Sequence, residues 1–194
     1  MPVSPRFELT ANECQQLKHM IWQVLTFAVD NGTFKLPEKP STENLNKIAA
    51  TFTTLYCYER LRGCIGTTIA TKPLWHDVCY HAYCSAFEDN RFSPLTKPEL
   101  AHLSVDVSVL SEMIEFENRG EQALLNALEV GVDGLLLQQG GRSAIFLPSV
   151  WESLSTPKTF LQALKSKGGW SSDYWHMDIK LYRFTTTIFH FKYY

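Results

Sequence analysis

Hydrophobic positions along the chain alternate between helical and strand periods. Leu17, Met20, Ile21, Val24, Leu25 and Ala28 recur at three- and four-residue steps, which predicts a helix with one apolar stripe. Thr10-Ala11-Asn12-Glu13 ahead of it has the spacing of a capping box, and Asn31-Gly32 supplies a left-handed stop. Residues 33–46 hold Pro37 and Pro40 among polar residues and read as an ordered connector, too short and too mixed for a tether. From Ala50 the pattern turns β-branched and aromatic. Residues 51–58, a polar Glu59-Arg60 turn and residues 61–69 predict a β-hairpin. Pro73 opens a helix to about Phe87, with Leu74, Val78, Ala82, Ser85 and Ala86 on one face. Alternation predicts one strand over 104–116, with Val105, Val107 and Val109 inward, and a last strand over 179–191. Between these lie a helix over 121–129 closed by Gly131, and a hairpin of 134–138 with 143–147 around Gly140-Gly141. A further helix starts at Thr156-Pro157, packs Phe160, Leu161 and Leu164 inward and stops at Gly168-Gly169. Hairpins demand antiparallel pairing, so the expected class is α+β: a mixed or antiparallel sheet with flanking helices.

Composition narrows this picture. The 194 residues, 45% hydrophobic and 20% charged, suit one packed globular domain over 1–194 and exclude a disordered or coiled-coil chain. A formal charge of −2 leaves no bulk positive field for phosphate backbones, which disfavours general nucleic-acid binding. No apolar run approaches the roughly 20 residues that span a bilayer, and Met1–Arg6 does not begin like a secretory leader, so a cytoplasmic protein without membrane association is expected. The five cysteines are odd in number and contain no CxxC pair, which reads as reduced thiols.

The stretch with the most unusual chemistry is Leu61-Arg62-Gly63-Cys64-Ile65-Gly66-Thr67. Two glycines in a strand remove side chains from a surface that should pack, so another group is expected to approach the backbone there. Cys64 lies between them, and period-two alternation puts Arg62 on the same face, where its charge would favour a thiolate and orient an anion. A buried cysteine in a glycine-bent strand is the plain alternative. His76, Cys79, His81 and Cys84 form two i,i+3 pairs that point about 140° apart on a helical wheel, so they do not chelate one metal together. Packing or solvation explains them better than a half-site, and neither a metal nor a cofactor is expected. Glu88, Asp89 and Arg91 can form an acid/base or anion site, or simply cap a helix end. Trp170, Tyr174, Trp175 and His176 roof a cleft or seal the core. The remaining glycine pairs lack the strand-to-helix order of dinucleotide and P-loop fingerprints.

The heptapeptide at 61–67 resembles the hallmark of the AMME syndrome candidate family, that of the AMME chromosomal region gene product and its bacterial and archaeal relatives. The similarity continues through Ser85-Ala86-Phe87-Glu88-Asp89-Asn90-Arg91-Phe92-Ser93-Pro94-Leu95-Thr96, Gly131-Val132-Asp133-Gly134-Leu135, Phe146-Leu147-Pro148 with Val150, and Lys180-Leu181-Tyr182-Arg183-Phe184, in family order over about residues 10 to 190. It departs from the family pattern at Ser93 and Thr68. The resemblance implies a larger and a smaller lobe with a cleft near the hallmark strand. It also implies kinship with protein A of the AmmeMemoRadiSam system, associated with a Memo-like protein and a radical S-adenosylmethionine enzyme, in a family without an established activity. Two functions are therefore expected to compete. In one, Cys64 is a nucleophile or acceptor toward a small substrate, with Arg62 as its anion contact and Gly63, Gly66, Thr67, Arg91 and Lys180 as further binding residues of an enzyme or enzyme component. In the other, the chain is a non-enzymatic binding or scaffold protein for such partners.

Overall fold

The computed structural model describes residues 7–193; Met1–Arg6, where the leader was sought, lies outside them. In chain order the elements are α1 (Ala11–Asn31), β1 (Ile48–Ala49), β2 (Thr51–Cys57), β3 (Arg60–Gly66), β4 (Lys72–Pro73), α2 (Leu74–Phe87), β5 (Leu103–Leu110), β6 (Ile114–Phe116), α3 (Glu121–Ala127), β7 (Gly134–Gln139), β8 (Arg142–Phe146), α4 (Pro157–Lys167), β9 (Lys180–Phe184) and β10 (Thr186–Lys192). The class is α+β. Two compact units divide the chain, a larger one of Phe7–Leu110 with the C-terminal strand from Thr187, and a smaller one over Ser111–Thr186.

In the larger unit a four-stranded sheet has the order β10-β5-β2-β3, with β2 antiparallel to both neighbours. Leu17, Ile21, Val24 and Leu25 of α1 and Leu74, Val78 and Ala82 of α2 pack with Leu55, Val105, Val107 and Val109 of the sheet into one buried cluster. The capping box at Thr10 and Glu13 and the left-handed Gly32 bound α1 as its spacing predicts. Pro73 stands at the N-cap of α2 rather than inside its first turn, and pairs with Ile48 across β1 and β4. Cys79 joins the core and Cys84 is buried, while His81 Nδ1 lies 3.2 Å from Asp77 Oδ2, so this helix face packs rather than meeting solvent.

The smaller unit has the sheet order β6-β9-β7-β8. Its core joins Leu135, Leu137 and Leu181 to Phe160, Leu161 and Leu164 of α4, and Trp151 stacks on Phe160 at 3.8 Å between centroids. Trp170 is buried in this cluster, with Tyr174 and Trp175 packed against it, so these aromatics seal the core.

Several boundaries differ from the sequence pattern. The first hairpin turns at Tyr58 and Glu59, both at positive φ (49° and 61°), and Arg60 already belongs to β3; a two-residue turn of this hand matches strand twist. The run 104–116 is two strands in two sheets, and so is 179–191. Both breaks occur where Ser111 and Thr185 bind each other: the Ser111 amide donates to the Thr185 carbonyl at 2.9 Å, and the Thr185 amide donates to Ser111 Oγ at 2.9 Å. Alternation persists through such a crossing, so periodicity does not reveal it. The α3 helix stops at Ala127 because Leu128 is extended.

Lys165 of α4 is fully buried, and its Nζ donates to both Glu121 carboxylate oxygens (3.1 and 3.2 Å) and to the Tyr174 carbonyl (3.2 Å). A buried ammonium stripped of its partner costs more than an apolar replacement, although Glu121 is 30% exposed and its loss is partly solvated. Glu121→Ala is therefore expected to cost roughly 1–3 kcal/mol, and Lys165→Met no more than about 1 kcal/mol, in urea denaturation.

Candidate functional site

The site is built around β3, one of the two edge strands of the larger unit's four-stranded sheet. Register pairs Leu55 with Gly63 and Tyr56 with Leu61, leaving Arg62 as the extra residue of a β-bulge. The bulge breaks period-two alternation at that point, so the side chain of Arg62 is not placed by simple alternation with Cys64. Arg62 Nε donates to Glu99 Oε1 at 2.7 Å, and Nη2 donates to Glu99 Oε2 at 3.3 Å and to the Ser93 carbonyl at 2.8 Å. The Arg62 side chain is 12% exposed. The guanidinium holds the Glu99 carboxyl down to about 2, helped by the Thr96 hydroxyl and amide of a capping box.

Both hallmark glycines are places where the chain meets itself. A Cβ on Gly63 would lie 1.9 Å from the Ser85 carbonyl oxygen, and one on Gly66 would lie 2.3 Å from the Thr51 carbonyl and 2.5 Å from the Phe52 ring. The α2 backbone thus runs directly against β3. From there the Ser85 hydroxyl is spliced into the ladder, accepting from the Ile65 amide at 2.8 Å and donating to the Thr53 carbonyl at 2.7 Å. Thr67 closes the strand: its amide donates to the Thr51 carbonyl, and its hydroxyl accepts from the Ile69 amide.

Cys64 is held at every polar atom. Its amide donates to Asp89 Oδ2 at 2.9 Å, its carbonyl accepts from Arg91 Nη2 at 3.4 Å, and its sulfur accepts from the Thr54 hydroxyl at 3.2 Å. Asp89 and Arg91 therefore satisfy the outer edge of β3 at Cys64 as a neighbouring strand would. Arg91 grips Asp89 through Nε and Nη2 (2.9 and 2.7 Å), and this grip, with the Cys64 amide, holds the Asp89 carboxyl far below the usual carboxylate range. The Phe92 ring lies 5.9 Å from the Arg62 guanidinium and 5.5 Å from that of Arg91.

On the face that carries Cys64, cross-strand pairing continues through Thr54 to Asp106, whose carboxylate meets His190 Nδ1. Three strand spacings, about 14 Å, separate the backbones of Cys64 and His190, too far for a direct proton transfer. Sequence reasoning missed Thr54, Ser85, Glu99, Asp106 and His190 because nothing local marks a cross-strand partner. Arg62, Gly63, Cys64, Gly66, Thr67 and Arg91 come together in the larger unit, whereas Lys180 belongs to the smaller one, where it is exposed at the start of β9. Among the described residues no group of three or more His, Cys, Asp or Glu is arranged to hold a metal ion.

The AMMECR1 family model matches residues 19–189. The chain belongs to the AMMECR1 family. Protein Ta0236 of Thermoplasma acidophilum is 33% identical over 159 residues, covering 80% of this chain and 77% of the relative. Protein MK0488 of Methanopyrus kandleri is 30% identical over 191 residues, covering 94% and 90%. The crystal structure of the uncharacterized protein PH0010 from Pyrococcus horikoshii superposes with a TM-score of 0.81 at 30% identity, covering 90% of this chain and 89% of that one. Within this AMMECR1 fold the 61–67 and 85–96 blocks are two halves of one contact, the second wrapping the edge of the first.

Two outcomes follow from this geometry. Gly63→Ala forces backbone apart and is expected to cost at least about 1–3 kcal/mol, seen as a lower urea midpoint with an unchanged slope. Asp89 and Glu99, both with lowered folded pKa, contribute stability that is fully present above their ordinary values and is lost as pH falls through the folded ones. Stability should therefore drop from about pH 5 downward, and Glu99→Gln should flatten that loss over the range down to about pH 2.

Proposed function

We propose that this AMMECR1-family chain is an enzyme or enzyme component in which Cys64 reacts as a nucleophile toward a small electrophilic substrate. The observation that supports this reading is the fixation of Cys64. Its amide and carbonyl are clamped by Asp89 and Arg91, and the sulfur of this half-buried residue accepts from the Thr54 hydroxyl. A nucleophile held this way reaches its target without ordering cost at the moment of attack. Arg62 acts in this reading as a positioning residue, tying β3 to Glu99 and Ser93. The setting we propose is the reducing cytoplasm, in keeping with five unpaired cysteines, alongside a Memo-like protein and a radical S-adenosylmethionine enzyme as associated partners.

The other four thiols are set against reaction. Burial pushes Cys79 and Cys84 up to about 12, and burial also raises Cys14 and Cys57. Iodoacetamide at pH 7.5, followed by peptide mass mapping of the native protein, should modify Cys64 first and leave Cys79 and Cys84 unlabelled until denaturant is added. Cys64→Ser should remove the fast phase. Labelling of Cys64 no faster than Cys14 or Cys57 would defeat the nucleophile reading and leave the scaffold reading in its place.

A further inference from the structure

We propose that the β3 site selects small anionic electrophiles, a carboxylate or phosphate ester bearing its reactive carbon nearby, and that Arg91 rather than Arg62 is the anion anchor. This rests on the reading of Cys64 as a nucleophile and specifies its substrate class.

The two arginines beside Cys64 differ in what they leave free. Arg62 has spent Nε and Nη2 on Glu99 and Ser93, and its Nη1 is buried without a partner, so it reaches a ligand only by vacating a carboxylate it already holds. Arg91 has the opposite arrangement. Its side chain is 58% exposed while that of its carboxylate partner Asp89 is 6% exposed. The negative member of the pair is sealed beneath and the positive member faces outward. Arg91 uses Nε and Nη2 on Asp89 and Nη2 again on the Cys64 carbonyl, and among the described residues Nη1 has no partner, leaving its two N–H bonds for an oxygen of a carboxylate or phosphate. Glu88, the neighbouring carboxylate, is directed back along α2 to the Cys84 thiol.

Arg91 Nη2 touches the Cys64 carbonyl, so the guanidinium lies on the order of one to two Cα steps, ~4–8 Å, from the sulfur. A ligand anchored there has its electrophilic carbon over Cys64 only if a short spacer separates that carbon from the anion. Iodoacetate, with one bond between carboxylate and reactive carbon, has this form, and iodoacetamide is its neutral isostere. In either reaction the Sγ–C bond forms as the C–I bond breaks, iodide leaves with the electron pair and the thiol proton passes to solvent.

The test is the ratio of second-order rates for iodoacetate and iodoacetamide at Cys64, measured by mass spectrometry on the full chain at low salt and referred to the same ratio for free cysteine. The ratio should exceed that of free cysteine by about three- to tenfold, fall toward it as sodium chloride is raised to 0.5 M, and fall likewise in Arg91→Gln. The salt series on the unmodified protein carries the test if the variant fails to fold. A ratio equal to that of free cysteine, insensitive to salt, overturns anion selection while leaving the nucleophile reading standing. A ratio that survives Arg91→Gln but collapses in Arg62→Gln overturns the assignment to Arg91. Failure of Cys64 to react with either reagent overturns the nucleophile reading and this inference together.

Discussion

The closest constraint in the molecule is the contact of the Ser85 carbonyl with the space above Gly63, where a single methyl group would overlap the backbone. Because α2 runs that close, its Ser85 hydroxyl reaches into the β2–β3 ladder, and the segment that follows emerges beside the outer edge of β3. That edge would otherwise expose unpaired amide and carbonyl groups. At Cys64, Asp89 accepts from the amide and Arg91 donates to the carbonyl, so two side chains close the edge there. The bulge at Arg62 belongs to the same arrangement, since it releases that side chain to tie the segment down through Ser93 and Glu99.

The fixation of Cys64 is a consequence of this packing. A cysteine on an open edge strand would sample several backbone positions, but this one is fixed at its amide, its carbonyl and its sulfur. Half-buried Glu99 neutralises Arg62, Asp89 lies sealed under Arg91, and the most exposed of these four groups is the Arg91 guanidinium. The two arginines near one thiol thus differ: Arg62 holds the 93–99 segment in place, and Arg91 is left largely exposed. The Phe92 ring lies within about 6 Å of both and lines their guanidinium faces.

Much of the scaffold was legible in the sequence because it rests on local signals. The capping box at Thr10, the glycine stop at Gly32, the Thr156-Pro157 start and the Gly140-Gly141 hairpin each depend on a few adjacent residues. The crossings at Ser111 and Thr185 were not legible, because a strand that passes from one sheet to another keeps its alternation. At the site, the glycines and Cys64 stood out, and an approach to their backbone was foreseen; that the approaching groups are the protein's own helix at Gly63 and its neighbouring strand at Gly66 was not. The partnership of Arg62 with Glu99 was likewise hidden, because it spans 37 residues and follows from a bulge that shifts the register. Asp89 and Arg91 were visible as a charge cluster, but their task as substitute strand partners exists only once β3 lies at a sheet edge.

Side chains close the edge of β3 at Cys64. Native-state amide hydrogen exchange of Cys64 measures this directly, because its amide points away from the sheet and has Asp89 as its acceptor. Protection approaching that of the central strand β2, lost selectively in Asp89→Ala, is the predicted result. Exchange at Cys64 as fast as at an open edge amide in the unmodified protein would contradict the account.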